Sequence, residues 1–384
     1  MEFITRIEIS QIVSGPYFHP VARAELKGGT SQTHLHMPKA APARNRPIRL
    51  GYVALADCAP IVMAHELGLF EQYGLKVQIH REAGWATVRD KIIYGELDAA
   101  QAPAGLMVAV SCGLGCVQAD CLTALVLNLH GNGITLSLKL WKCGVRDGDT
   151  LRKHLQTISE PLVFGVVHPF SSHSCLLRTW LKAHRIQPDR EVKIVTVPPA
   201  QMTANLRARH LDGYCVGEPW NAQAVLSRIG WCAATSAELA PGHPEKVLMV
   251  QRKYAEQHEE EHLALIAALL ESCRFCDAPE NRERLVEILG QRKYVGVSAQ
   301  ALRLSLGGLF DFGNGRIEKV PDFHVFSRGG ANEPTLDRAH WVIRQMHATG
   351  LADPLSTPQD AAAEWFRSDI FHRACALHTT LAIS

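Results

Sequence analysis

Two separated segments carry residue types suited to the capture of a small anion. The first runs Gly84, Trp85, Ala86, Thr87, Val88, Arg89, Asp90; the second runs Asp212, Gly213, Tyr214, Cys215, Val216, Gly217, Glu218, Pro219, Trp220, Asn221. After the Trp85 loop the pattern predicts a helix from Thr87 to Gly95, which Thr87 can cap and whose first amides point toward whatever sits beside Trp85. The second segment places an acid before a proline. Glu218 is suited to anchoring a hinge by accepting backbone amides, and Asp57 to holding its loop as a cap.

Other reactive residues read as structural. Cys273 and Cys276 are three apart in a helical stretch with no second pair nearby, which makes them packed thiols rather than zinc ligands. The run His258, Glu259, Glu260, Glu261, His262 reads as a solvated helix face. Eleven cysteines, odd in number and scattered without a framework, suit a reducing compartment. No metal or cofactor is expected.

The elements that must position these residues follow an α/β rhythm. Arg49 to Leu55 reads as a strand, then a helix from Ile61 to Tyr73 stopping at Gly74, then a strand from Val77 to His80. Strands at Leu162 to Val166 and Lys193 to Val197 flank a helix from Ser174 to His184, and a further helix spans Pro199 to Arg209. Glu256 to Leu289 and Leu336 to Thr349 are helical by period. Tyr94-Gly95-Glu96-Leu97-Asp98-Ala99-Ala100 and Ala208-Arg209-His210-Leu211-Asp212-Gly213-Tyr214 share an apolar residue, then Asp, then a strand. That likeness points to two similar α/β halves with mostly parallel sheets.

Composition narrows the class. The 384 residues are 47% hydrophobic, with 40 basic and 38 acidic residues giving a net charge of +2, so charge argues against a nucleic-acid surface. Leu106 to Leu129 is the most apolar long stretch. Gly113, Gly115, Gln118, Asp120 and Asn128 break it before it reaches the roughly 20 apolar residues of a membrane span. Residues 1–46 hold no apolar run of export-signal length, because Glu2, Arg6, Glu8 and Gln11 interrupt them, and a cytoplasmic location is expected. Residues 1–46 read as a disordered arm or linker, 47–137 with 247–384 as a first lobe with a helical C-terminal return, and 138–246 as a second lobe.

Over residues 47 to 350 the chain resembles the nitrate and bicarbonate receptor family of type II periplasmic-binding-protein fold, and within it the cytoplasmic nitrate/nitrite sensors of the NasS type. Besides the two segments above, the likeness rests on Gly51 to Pro60 with Asp57 and Cys58, and on Leu127 to Ser137 with Asn128, His130, Gly131 and Asn132. It rests also on Pro198-Pro199-Ala200-Gln201-Met202 and on His243-Pro244-Glu245-Lys246-Val247-Leu248. The resemblance implies two lobes joined by a hinge that close on one oxyanion in a cleft, lined by Trp85, Thr87, Gly131, Asn132, His173 and Lys246. Asn132 stands where nitrate receptors of the family usually carry the longer Gln. Lys246 stands where the bicarbonate receptors place an acid with calcium, which implies nitrate or nitrite here.

Such a ligand set makes physical sense. A planar, weakly hydrated monoanion needs donors, and one formal positive charge offsets its desolvation. Lys246 supplies the charge, while His173 and Asn132 donate. Three or four charged hydrogen bonds of roughly 1.5 to 3 kcal/mol each, less the cost of closure, support micromolar binding at about 8 kcal/mol.

The leading expectation is therefore a cytoplasmic sensor. It would regulate nitrate assimilation through an ANTAR-type, NasT-like RNA-binding antiterminator, without touching nucleic acid or membrane itself. The alternative is the solute-binding component of a nitrate/nitrite ABC transporter. An enzyme of the thiamine-pyrimidine synthase kind would need a clustered cysteine run and a cofactor lysine in the first lobe, and the sequence offers neither.

Overall fold

A computed structural model describes residues 46–381, so the arm expected over residues 1–46 lies outside the described residues except for Arg46. Arg46 is tied down: its guanidinium pairs with both carboxylate oxygens of Asp98 at 2.8 and 2.9 Å.

The strands, in chain order, are β1 (Ile48–Val53), β2 (Val77–Glu82), β3 (Ala99–Pro103), β4 (Cys121–His130), β5 (Asn132–Ser137), β6 (Leu162–Val166), β7 (Val192–Thr196), β8 (Gly213–Gly217), β9 (Gly230–Thr235), β10 (Pro244–Gln251), β11 (Leu309–Gly313), β12 (Arg316–Lys319) and β13 (His324–Val325). One six-stranded sheet has the order β13-β4-β10-β3-β1-β2 and one five-stranded sheet the order β7-β6-β8-β5-β9. The two-lobed α/β plan is as the sequence implies, but the sheets are mixed rather than mostly parallel. β1 runs parallel to β2 and β3, whereas β10 lies antiparallel to both β3 and β4. The second sheet repeats the scheme: β6 is parallel to β7 and β8, and β5 is antiparallel to β8 and β9. The antiparallel strands are those by which the chain enters and leaves the second lobe, a reversal that helix-strand alternation does not reveal.

Sheet membership also moves the lobe boundaries. β5 pairs only within the second sheet, so the second lobe takes in residues 132–137 instead of starting at 138. β10 pairs within the first, so Pro244, Glu245 and Lys246 belong to the first lobe. The two crossings lie side by side: His130 and Gly131 have φ of 59° and 92°, and the Gly242 amide donates to His130 Nε2 at 2.6 Å. A third segment also reaches across. The β11-β12 hairpin buries Phe310 and Phe312 with Phe323 against Cys232 of β9.

The lobes are built alike. Asp98 before β3 accepts the Arg49 amide of β1 at 2.9 Å, and Asp212 before β8 accepts the Val163 amide of β6 at 3.0 Å. Gly95 and Arg209, three residues earlier, both turn with positive φ, 69° and 64°. Leu97 and Leu211 lie under glycines, so a Cβ on Gly51 would meet Leu97 Cδ1 at 2.5 Å and one on Gly165 would meet Leu211 Cδ1 at 2.9 Å.

One face of the first sheet is covered by Ala59–Glu66, Glu259–Asp277 and Arg282–Leu289, whose aliphatic side chains pack with Leu50, Leu122 and Leu248. The helix expected over 61–73 is interrupted at Leu67 and Gly68, where Gly68 takes φ 66°. The other face packs Val53, Trp85, Ala102 and Val247 with Val167, Met202 and Val216 of the second lobe in one continuous apolar cluster. That continuity across the interface means the lobes are closed on each other. No helix among the described residues is long and apolar enough to cross a membrane.

One side-chain expectation changes and another is met. His262 is buried beside Tyr254 at 6.1 Å between ring centroids, so the 258–262 run is not wholly a solvated face. Cys273 and Cys276 are buried and unpaired, and burial raises both thiols.

Candidate functional site

The interface between the lobes holds a packed group of charged and polar side chains, each brought by a different element. Trp85 is the first residue of the helix Trp85–Ile93, with Gly84 at the N-cap; Thr87 is therefore inside the first turn, half-buried, and not the cap expected from sequence. Asp57 lies in the 3-10 turn Ala56–Cys58 after β1 and makes no capping bond. Asn132 opens β5, His173 lies in the first turn of Ser172–Ala183, and Lys246 sits near the start of β10. Trp85, Asp57, Asn132, His173 and Lys246 are all at most 1% exposed.

The Lys246 ammonium is held by two acids, 2.8 Å from Asp57 Oδ2 and 2.6 Å from Glu245 Oε1, and lies 5.3 Å above the Trp85 ring. Burial disfavours its charge, but the two carboxylates outweigh that and raise its pKa. Asp57 is fixed from the other side by Gln101 Nε2 at 2.6 Å; burial nonetheless leaves its pKa raised against the pull of Lys246. Asp57 thus serves as counter-ion to Lys246 rather than as a loop cap.

Glu245 is the centre of the group. Its Oε2 accepts Asn132 Nδ2 at 2.6 Å and a short bond from Ser172 Oγ, with His243 Nε2 at 3.3 Å; its Oε1 faces His173 Nε2 at 3.7 Å. Burial would raise this carboxyl, but the adjoining Lys246 ammonium holds it well below the ordinary carboxylate range. His243 Nδ1 lies 2.8 Å from the Ala240 carbonyl. Burial pushes His173 down to about 3, so its imidazole is neutral.

Asn132, Ser172 and His173 come from the second lobe, and Asp57, Trp85, Glu245 and Lys246 from the first. A delocalised planar carboxylate of one lobe therefore sits in a donor set shared by both. Open hydrogen-bonding capacity remains around it: Trp85 Nε1, both ring nitrogens of His173 and Asn132 Oδ1 are buried without a hydrogen-bond partner. Such atoms are costly to leave unpaired and mark where a polar ligand gains most. The void bordered by Ser172, Gly105 and Pro244 is about 10 Å³, room for one water.

Gly131 is not in this group. Its carbonyl accepts the Glu218 amide at 3.0 Å, and a Cβ there would stand 2.3 Å from His324 Nε2, so its place is at the lobe crossing. Glu218 accepts the Ala222 amide at 3.1 Å and Ser305 Oγ at 3.0 Å, while its carbonyl accepts the Ala56 amide at 2.7 Å. It ties the second lobe to two parts of the first.

Glu245, Ser172, His243 and Gln101 were not singled out from sequence. Neighbours in a strand point to opposite faces, which sets Glu245 and Lys246 apart on paper. β10 shifts register against β4 between Pro244 and Lys246 and again between Lys246 and Val247, and this irregularity lets both charges turn into the interface. The signal available was the acid beside the lysine itself: a buried lysine requires a counter-ion.

Among the described residues no group of three or more His, Cys, Asp or Glu side chains is placed to hold a metal ion.

Comparison with known proteins gives the family. Residues 41–290 match the NMT1-like family. The chain is 39% identical over 306 residues to the bicarbonate transport ATP-binding protein CmpC of Synechococcus elongatus, covering 79% of this chain and 45% of that protein. It is 31% identical over 341 residues to the nitrate/nitrite binding protein NrtA of the same species, covering 85% and 77%. The crystal structure of the periplasmic nitrate-binding protein NrtA from Synechocystis superposes with a TM-score of 0.82 at 27% identity, covering 86% of this chain and 88% of that one. The chain spans about half the length of the transport ATP-binding relatives it matches.

Proposed function

We propose that this chain, which belongs to the NMT1-like family, binds nitrate or nitrite between its lobes and acts as a cytoplasmic sensor in nitrate assimilation. It is a binding protein and not an enzyme, and its fold and homology are those of the nitrate/nitrite-binding proteins. One observation carries the choice of ligand. Donors from both lobes converge on the planar carboxylate of Glu245, beside a buried ammonium and unpartnered Trp85 and His173 nitrogens. Nitrate has the same planarity, charge and spread of lone pairs as a carboxylate. It takes over the donors of Asn132 and Ser172 as Glu245 gives way, engages the unpartnered His173, and leaves Lys246 to supply the offsetting charge.

As a sensor, the protein works by population. An anion bound more tightly by the closed form shifts the lobes by its differential affinity alone, and alters the surface met by an ANTAR-type RNA-binding antiterminator. The cytoplasmic setting is supported by eleven unpaired cysteines, which suit a reducing compartment.

Calorimetric titration with nitrate, nitrite and bicarbonate, on the native chain and on Lys246→Glu, tests the ligand. Saturable nitrate or nitrite binding that the variant loses supports it, and binding of bicarbonate alone overturns it. Titration of the antiterminator with and without saturating nitrate tests the sensor, which fails if the affinity does not change.

A second reading is the solute-binding part of a nitrate/nitrite transporter, favoured by the matches to transport proteins. It keeps the pocket and predicts association with transporter subunits in place of the antiterminator.

A further inference from the structure

The second lobe has another concavity, at the far end of its sheet from the interlobe site. β5 joins the two: Asn132 at its start lies in the cleft and Ser137 at its end lines the concavity, roughly 16 Å away at 3.3 Å per residue. The concavity encloses about 390 Å³. Lys139, Lys142, Arg207, Arg209 and Arg228 surround it, over a floor that includes Leu206 and Leu211. The acid among its lining residues, Asp212, is already engaged by the Val163 amide.

None of the five cations makes an ion pair among the described residues, whereas elsewhere on the surface Arg178 pairs with Asp189 and Arg303 with Glu283. Three elements converge to present them: the helix Leu138–Lys142, the end of Met202–Arg207, and the turn after Trp220–Leu226. The C-terminal ends of these helices each favour a nearby cation, which accounts for one basic residue apiece. It does not account for five around one hollow, where each repels the rest. Arg209 and Arg228 also hold φ of 64° and 53° at positions where glycine or asparagine is the usual residue.

We infer that this concavity is a second anion site, specific for a compact small molecule carrying several linked phosphoryl groups. A di- or triphosphate offers more oxygens and more charge to a ring of cations than a single phosphate does, and arginine forks suit phosphoryl oxygens. The volume admits an organic group against the leucine floor. The assignment does not depend on what binds between the lobes.

The test is calorimetry on the full chain at fixed ionic strength, with inorganic tripolyphosphate, ATP and orthophosphate as probes. Tripolyphosphate or ATP is expected to bind saturably and at least 10-fold more tightly than orthophosphate. Lys142→Glu combined with Arg228→Glu is expected to weaken that binding at least 10-fold, and Lys253→Glu, an exposed charge reversal elsewhere, to leave it unchanged. ATP binding more tightly than tripolyphosphate assigns the leucine floor to the base, and equal affinities assign the site to the phosphate chain. Absence of binding, equal affinity for orthophosphate, or equal loss in Lys253→Glu overturns the site. Thermal melting of each variant separates lost binding from lost folding, and a nitrate titration on the same samples keeps the interlobe reading apart.

Discussion

Asn132 and Glu245 meet across the lobe interface, amide nitrogen to carboxylate at 2.6 Å, so the acid of one lobe occupies the donors of the other. If nitrate must displace that carboxylate, neutralising it removes the competitor. Glu245→Gln is expected to raise nitrate or nitrite affinity about 10-fold, a difference of about 1.4 kcal/mol read by calorimetry. Unchanged or weaker binding would mean that the carboxylate stays in place and the anion binds elsewhere.

Lys246 is the one cation between Asp57 and Glu245, and its removal leaves two buried carboxylates facing each other. Lys246→Met is expected to cost about 3 to 5 kcal/mol of stability in urea unfolding, the penalty of breaking a buried pair from one side. Adding Asp57→Asn should restore at least about 1 kcal/mol. A double variant no more stable than the single one contradicts the counter-ion role of Asp57.

Gly131 carries φ 92° and has no room for a side chain beneath His324, whose Nδ1 is held by the Ser305 carbonyl at 3.0 Å. Gly131→Ala is expected to lose about 2 kcal/mol or more, combining left-handed strain with a clash against the ring. His324→Ala in the same chain should return the steric part. If it returns nothing, backbone conformation alone makes the glycine necessary.

Glu218 imposes a pH dependence. Burial lifts its carboxyl from an ordinary 4.5 to about 7, despite the bonds from Ala222 and Ser305. The folded state therefore holds this proton where the unfolded chain has released it. Stability from this group is complete below about pH 4.5, falls as pH rises toward 7, and is flat above, a span on the order of 3 kcal/mol. Melting temperature followed over that range should show the decline in the native chain and a flatter profile in Glu218→Gln. Identical profiles would mean that Glu218 does not titrate in this window.

The parts of the fold legible in the sequence were those with local punctuation. Gly74 and the periodicity of 162–166, 193–197 and 336–349 set element limits within a residue or two, because turn residues and apolar spacing act at short range. The mixed sheets and the lobe boundary were not legible, since they depend on which sheet β5 and β10 join, a choice made by long-range pairing. At the site, Trp85, Asn132, His173 and Lys246 came together, yet the residue on which they converge did not show itself. Neighbours in a regular strand face opposite ways, and it is the irregular register of β10 that turns Glu245 inward beside Lys246.

The correspondence between the lobes has a practical side. Gly51, Leu97 and Asp98 in one, and Gly165, Leu211 and Asp212 in the other, are the same small machine mounted twice, once in each sheet. In the first copy Arg46 and Arg49 clamp the aspartate, whereas in the second the aspartate stands at the edge of the basic hollow. A matched pair of substitutions, Asp98→Asn and Asp212→Asn, therefore reads the same backbone contact in two electrostatic settings. Each lobe serves as the other's internal standard.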